Sequence, residues 1–428
     1  MPTPDQSPQA EPLISIRFNK RRWLLLGATL GPGIIAAIAG DDAGGIATYA
    51  TAGANYGYDL LWALVLITFI LALVQEMCAR MGAVTGRGLS ALIRERFGVR
   101  WTAFAMIVLL VANIATAIGE FAGVAAAGEV LGVSKYVAVP IAALGVWLLI
   151  VKGNFGVVEK VFFVLALTLV SYVVSGFMVG PPWALIAHRT VVPTLHMNST
   201  FLLVLIATIG TTITPYMQFF LQSNIVDKGI TIKNYGYAKL DVFVGSFVTD
   251  LIAFFIIVAT AATLNARGIH IETAAEAALA LAPVAGKYAT YLFAAGLLGA
   301  SLLAACVLPL TTAYAVCEAF GWETGISKGW DEAPSFMGIY TALIVLGAGI
   351  VLLPNLPLFL VLLVSQDING ILLPVILIFI LLLVNDRRIM GRYVNGRFYN
   401  AIAWTTAVLL IVLTIILLYS SLPFSVLK

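Results

Sequence analysis

The chain has 428 residues, 61% of them hydrophobic and 11% charged, with 24 basic and 21 acidic side chains and a formal charge of +3. Soluble domains carry about 25% charged residues, so the composition excludes a soluble fold and points to an all-α polytopic membrane protein. The small net charge gives no basis for nucleic-acid binding.

The first 22 residues are polar and Pro-rich and read as a disordered cytoplasmic tail, with no cleavable signal peptide. Eleven apolar spans follow, at about 23–50, 58–80, 101–131, 135–151, 161–180, 199–222, 241–264, 287–319, 336–355, 357–384 and 400–422. Each is of the length that crosses a bilayer, which takes ~20 residues. The charged and turn-forming connections run from Gly82 to Arg100, Pro181 to Asn198, Asn265 to Gly286 and Asn385 to Arg397. Cys78, Cys306 and Cys317 lie in or near spans, with no CxxC pair, so neither a disulfide frame nor a zinc site is indicated.

Cytoplasmic loops carry the excess of Lys and Arg. With the N-terminus inside, 19 of the 24 basic residues fall on the inner side, among them Arg17, Lys20, Arg21 and Arg22 before span 1. Lys135, Arg189, Arg267, Lys287 and Lys428 fall outside. The expected placement is a multi-pass protein of the plasma (inner) membrane, N-terminus in and C-terminus out. Glu76 and Arg80, four apart, are expected to form a helix ion pair near the inner surface. His188, His196 and His270 fall in outer loops.

Span 1 contains Gly40-Asp41-Asp42-Ala43-Gly44-Gly45. An ionisable group at membrane depth is expensive and is by default a functional-site hypothesis. Glycines beside it mark a helix that unwinds, and unwound backbone survives in a membrane only where it lines a cavity or is buried in protein. Span 6 contains Gly210-Thr211-Thr212-Ile213-Thr214-Pro215, and a proline there removes a backbone hydrogen bond. Spans 1 and 6 lie five apart. Five is odd, so the blocks 1–5 (23–180) and 6–10 (199–384) have opposite topology. Interrupted helices at matching places in two inverted halves point to a transporter binding site. Residues 385–428 then form a cytoplasmic loop and an accessory helix 11.

Several segments, in order, resemble the Nramp family of divalent-metal transporters. They are Gly31-Pro32-Gly33 with Ala39-Gly40-Asp41-Asp42-Ala43-Gly44-Gly45, then Asn55-Tyr56-Gly57-Tyr58-Asp59, Ala79-Arg80-Met81-Gly82, Thr312-Ala313-Tyr314-Ala315-Val316-Cys317-Glu318, and Asp386-Arg387-Arg388-Ile389-Met390-Gly391. The resemblance implies a LeuT-like 5+5 inverted repeat with broken spans 1 and 6, alternating access, and no enzymatic activity. Asp42 falls on the aspartate of the family's Asp-Pro-Gly-Asn motif, but the proline becomes Ala43 and the asparagine Gly45. In span 6 the family's Met-Pro-His becomes Thr214-Pro215-Tyr216. In span 3 a pair of acids becomes Glu120 and Gly123. These departures resemble the Nramp-related magnesium transporter branch.

A thioether favours manganese, iron and heavier metals, whereas carboxylate, carbonyl, hydroxyl and water suit magnesium. Thr214 in place of methionine removes the soft donor, and Met217, three residues on, reads as packing. Magnesium keeps several waters around one or two carboxylates. The expected shell is the Asp42 carboxylate, the Ala39 and Thr211 carbonyls carried over by alignment, space left by Gly45, and Thr214, Gln366 and Asn369 acting directly or through water. Asp41 shares the ion only if the segment is unwound. Asp42 has a structural alternative, capping the broken helix. Glu120 is expected in a vestibule or as a remnant of a proton path, or as a hydrogen-bonded structural acid. Asp367 is expected to face the cavity or to be paired.

The expected function is inward transport of a divalent cation, Mg2+ and with it Mn2+ as a further cargo, by a monomer in the lipid bilayer with no cofactor. A charge crossing the membrane gains roughly 2.3 kcal/mol per 100 mV. A divalent ion gains twice that, so uptake needs no coupled proton. The alternatives are a proton-coupled Mn2+/Fe2+ symporter of the ordinary Nramp kind, a membrane-embedded prenyl transferase, which needs a second acidic cluster, and a sodium-coupled amino-acid carrier.

Overall fold

The computed structural model describes residues 42–152, 170–196, 198–325 and 328–420. Ala39, Asp41, the first part of span 1, the first part of span 5 and the tail 1–22 lie outside the described residues. Among the described residues eight helices are long and apolar enough to cross a membrane, and Lys135–Val151 is a shorter apolar helix. The second part of span 1 is Ala43–Tyr56 and span 2 is Leu61–Thr85. Span 8 is Ala289–Phe320, span 9 Pro334–Val351, span 10 Leu358–Val384 and span 11 Arg397–Ser420. Large apolar side chains such as Phe69, Ile107, Leu251, Val345 and Ile415 are exposed, as the hydrocarbon-facing surface of a membrane bundle requires.

Span 6 is broken as the proline indicated. Ser199–Thr212 and Pro215–Asp227 are separate helices, parted by Ile213 (φ −118°, ψ 65°) and the extended Thr214. Pro215 is the first residue of the second helix, where its missing N–H would have had no partner in any case. The described part of span 1 starts in a similar way, because Asp42 is extended (ψ 177°) and caps Ala43–Tyr56. The two restarts are joined laterally. Thr212 Oγ1 donates to the Thr208 carbonyl, so the 2.8 Å contact with Tyr49 Oη is a bond in which Thr212 accepts.

Close backbone approach sets the layout around these breaks. A Cβ on Gly210 would lie 2.2 Å from the Gln366 carbonyl oxygen, and one on Gly370 would lie 2.5 Å from the Ile206 carbonyl oxygen. Spans 6 and 10 therefore touch through glycines on both sides, the packing that membrane helices use where no hydrophobic drive separates helix from lipid.

The connections are more structured than composition suggested. The segment expected as a loop before span 3 is helical from Leu89, and span 3 runs through Val130 with one bend at Gly98 (φ 77°). A left-handed backbone there suits glycine alone, so a polar helical arm can join an apolar span without a separate loop. The 181–198 connection holds the helix Trp183–Val191, and 265–286 folds into short helical turns including Ala274–Ala278. Single-turn amphipathic pieces carry too weak a period to stand out from loop composition. The Glu76–Arg80 pair forms at 3.4 Å, and the Tyr235 hydroxyl donates to Glu76. His196 Nε2 lies 2.8 Å from Asp59 Oδ2, joining two connections.

Candidate metal-binding site

Asp42 is almost fully buried where span 1 restarts. Its Oδ1 accepts the Gly45 N–H at 2.6 Å, and the Gln366 side-chain amide reaches Oδ1 and Oδ2 at 3.2 and 3.3 Å. The capping alternative is thus realised. It does not exhaust the group, because a carboxylate offers about four lone-pair sites. Gly44 is needed for this contact, since a Cβ there would lie 2.0 Å from Gln366 Nε2.

Span 10 stays helical through Ser365–Gly370, and its amides are already engaged. Gln366 Oε1 accepts from Asn369 Nδ2 at 3.0 Å, and Asn369 Nδ2 also lies 2.9 Å from Thr116 Oγ1. Gln366 and Asn369 therefore hold Asp42 in place in this arrangement, with Gln366 presenting N–H groups to the carboxylate. Asp367, one residue on, is turned about 100° around the helix from Gln366. It makes no contact with Asp42, and its Oδ1 has no partner among the described residues.

Thr211 and Thr214 are fully buried, and neither hydroxyl has a partner among the described residues. Threonines in helices ordinarily return their hydroxyls to the preceding turn, as Thr208 does to Val204 at 2.7 Å. The break accounts for Thr214, which lies outside both helices, whereas Thr211 is helical and its hydroxyl is unpartnered among the described residues all the same. Met217 is buried on the following turn, and its sulfur takes the Gln75 amide at 4.0 Å, so it packs against span 2.

Glu120 corrects an expectation. It does not line an open vestibule, because it is fully buried against the restart of span 1, where the Ala43 N–H lies 3.4 Å from its Oε2. Its carboxyl and that of Asp42 stand at hydrogen-bonding range. Glu120 Oε1 has no partner among the described residues. Gly123, one turn on, has no room for a side chain: a Cβ there would lie 2.3 Å from Ser301 Oγ and 2.5 Å from the Ala43 Cβ.

Sequence reading missed Asn113, Thr116 and Ser301. Asn113 Nδ2 donates to Thr312 Oγ1 at 2.6 Å. Asn113, Thr116 and Glu120 recur at three- and four-residue spacing within an apolar span, a polar stripe on one helix face that the sequence does carry. Ser301 has no such companion pattern. Among the described residues no three His, Cys, Asp or Glu side chains converge. A cation here would be held by few carboxylates, with neutral oxygens and water completing the shell.

A family model described as "Nramp: Natural resistance-associated macrophage protein-like" matches residues 33–420. The chain belongs to the Nramp family. It is a multi-pass membrane transporter, not an enzyme. The divalent metal cation transporter MntH of Erwinia tasmaniensis is 31% identical over 297 residues, covering 67% of this Nramp chain and 71% of that protein. The MntH of Deinococcus radiodurans is 29% identical over 413 residues, covering 91% and 89%. In fold, this Nramp protein is similar to the Eremococcus coleocola manganese transporter (TM-score 0.73, 22% identity, 95% and 89% coverage). It is also similar to the nucleobase-cation-symport transporter MHP1 (TM-score 0.57, 14% identity, 91% and 90% coverage). The fold is the LeuT-like one that the resemblance implied.

Proposed function

We propose that this Nramp transporter carries hydrated Mg2+ into the cell, with Mn2+ as a lesser cargo, driven by the membrane potential without an obligatory proton. The observation that carries the reading is the donor set. Buried hydroxyls of Thr211 and Thr214, unpartnered among the described residues, stand at the break of span 6. Span 10 links that break to Asp42. The nearby sulfur, Met217, is turned to Gln75. Hard oxygens with room for water suit magnesium, which sheds its hydration reluctantly. Asp42 is the anchor, Thr211 and Thr214 act directly or through water, and Asp41 and Ala39 complete the shell from the first part of span 1. The filled position at Gly123 supports the absence of a second acid on span 3. The protein acts as a monomer in the plasma membrane, N-terminus cytoplasmic and C-terminus outside, on the pattern of its basic residues.

A second reading is the proton-coupled manganese symport that the names of relatives suggest. The nearness of Glu120 to the Asp42 end of span 1 favours it, because Glu120 Oε2 meets the Ala43 N–H and a second acid beside the site offers a place for a coupled proton. Uptake of Mg2+, Mn2+ and Ca2+ into proteoliposomes with a pH-sensitive dye inside separates the two. The proposal expects Mg2+ uptake that follows an imposed potential without acidification. Acidification driven strictly by Mg2+ entry overturns the uncoupled reading, and Mn2+ uptake undiminished by millimolar Mg2+ overturns the magnesium preference.

A further inference from the structure

Ser301 sits in the middle of span 8, fully buried, and its hydroxyl has no hydrogen-bond partner among the described residues. The neighbouring hydroxyls of the same span are satisfied in the ordinary way. Thr311 and Thr312 donate to the carbonyls four residues back, at 2.8 and 2.9 Å. Ser301 is aimed across the bundle instead, at the bare Cα of Gly123 on span 3, where a Cβ would lie 2.3 Å from Ser301 Oγ. The same missing Cβ would lie 2.5 Å from the Cβ of Ala43, the residue after Asp42. Gly123 follows Glu120 by three residues and shares its face of span 3. Glu120 Oε1 is also without a partner among the described residues. Ser301 Oγ therefore enters the site at the level of the Asp42–Glu120 pair, from a span to which no ligand had been assigned. The absence of a side chain at 123 is what admits it.

A buried hydroxyl left unpaired is unfavourable, and alanine would fill the same space without that penalty. A hydroxyl has one donor and two acceptor lone pairs, so it can accept from a cation-bound water while donating to a carboxylate. We propose that Ser301 is a specificity-determining residue of the transport site, contributing a hard oxygen to the water shell of the divalent cation held at Asp42. This rests on the proposed function above, in which Asp42 anchors a hydrated cation.

The test compares Ser301→Ala and Ser301→Cys in proteoliposomes, measuring initial uptake of Mg2+, Mn2+ and Cd2+, with Asp42→Ala as control. Ser301→Ala should lower Mg2+ uptake about tenfold, the scale of one lost hydrogen bond. Ser301→Cys keeps the shape but exchanges a hard donor for a soft one. It should raise the Cd2+ to Mg2+ rate ratio by about threefold or more. A purely structural serine would change overall rate or yield and leave that ratio fixed. If Ser301→Ala does not fold, the ratio in Ser301→Cys decides alone. Unchanged ratios in Ser301→Cys, with Asp42→Ala inactive, overturn this inference and leave the proposed function standing. Full uptake by Asp42→Ala overturns the proposed function itself.

Discussion

Gln366 donates its side-chain amide to both carboxylate oxygens of Asp42, at 3.2 and 3.3 Å, while its own carbonyl oxygen is held by Asn369 at 3.0 Å. The amide thus orients the carboxylate from one side, and the helix cap at Gly45 orients it from the other. Hydrogen bonds to a charged group contribute about 1.5–3 kcal/mol. Gln366→Leu should therefore raise the KM for Mg2+ by about tenfold or more, with a smaller change in maximal rate. Initial-rate uptake across a Mg2+ concentration series checks this. An unchanged KM would mean that Asp42 needs no orienting partner.

Thr214→Met places a thioether at the break of span 6. A soft donor strengthens binding of Mn2+ and Cd2+ relative to Mg2+. The Mn2+ to Mg2+ uptake ratio should rise by roughly tenfold, equivalent to about 1.4 kcal/mol of preference. Competition uptake with labelled Mn2+ and increasing Mg2+ reads this directly. A ratio equal to that of the unaltered protein counts against Thr214 facing the cation.

Gly210 touches the span 10 backbone, so Gly210→Ala forces a Cβ to within 2.2 Å of a carbonyl oxygen that cannot rotate away. Overpacking of this kind costs about 1–3 kcal/mol, and here it also displaces Gln366. The variant should melt several degrees lower in detergent and lose most of its uptake. Gly145→Ala on span 4 is the control, because nothing lies within 4 Å of its added Cβ. Equal melting temperatures for the two variants would remove the case for glycine-mediated contact between spans 6 and 10.

The break of span 6 and the helix start after Asp42 were legible because a carboxylate, glycines and a proline are costly inside an apolar span unless the helix is interrupted there. Asp42 could be named as a candidate on the same ground, and Thr214 from the resemblance, as the residue at the place of the family's methionine. Glu120 was visible as a buried acid, but its place against Ala43 was not, since that contact joins residues 77 apart in sequence. Gln366 was found as a polar residue in an apolar span. Its role as an amide donor to Asp42 depends on the glycine contacts between spans 6 and 10, which composition does not encode. Ser301 escaped because a lone serine is ordinary in a membrane helix, and only the missing side chain at Gly123 gives it meaning. The helical arm from Leu89 escaped for another reason: its charges mark solvent exposure equally well in a loop and in a helix.

Asp386 links the ends of two spans. Its Oδ1 accepts the Arg388 N–H at 2.8 Å, and its Oδ2 pairs with Arg96 on the helical arm before span 3. The Arg388 N–H holds its carboxyl below the usual carboxylate range against the opposing effect of burial, and the Arg96 guanidinium adds to the depression. A carboxyl depressed in the folded state contributes stability that is present above its unfolded value of about 3.9. That contribution is lost as pH falls through the lower folded value. Asp386→Asn should therefore melt below the unaltered protein at pH 7, and the gap should narrow as the pH drops below about 4. Melting curves of both proteins in detergent from neutral to acid pH test the sign. A gap that stays constant or widens on acidification would show that the ionised Asp386 does not stabilise this junction.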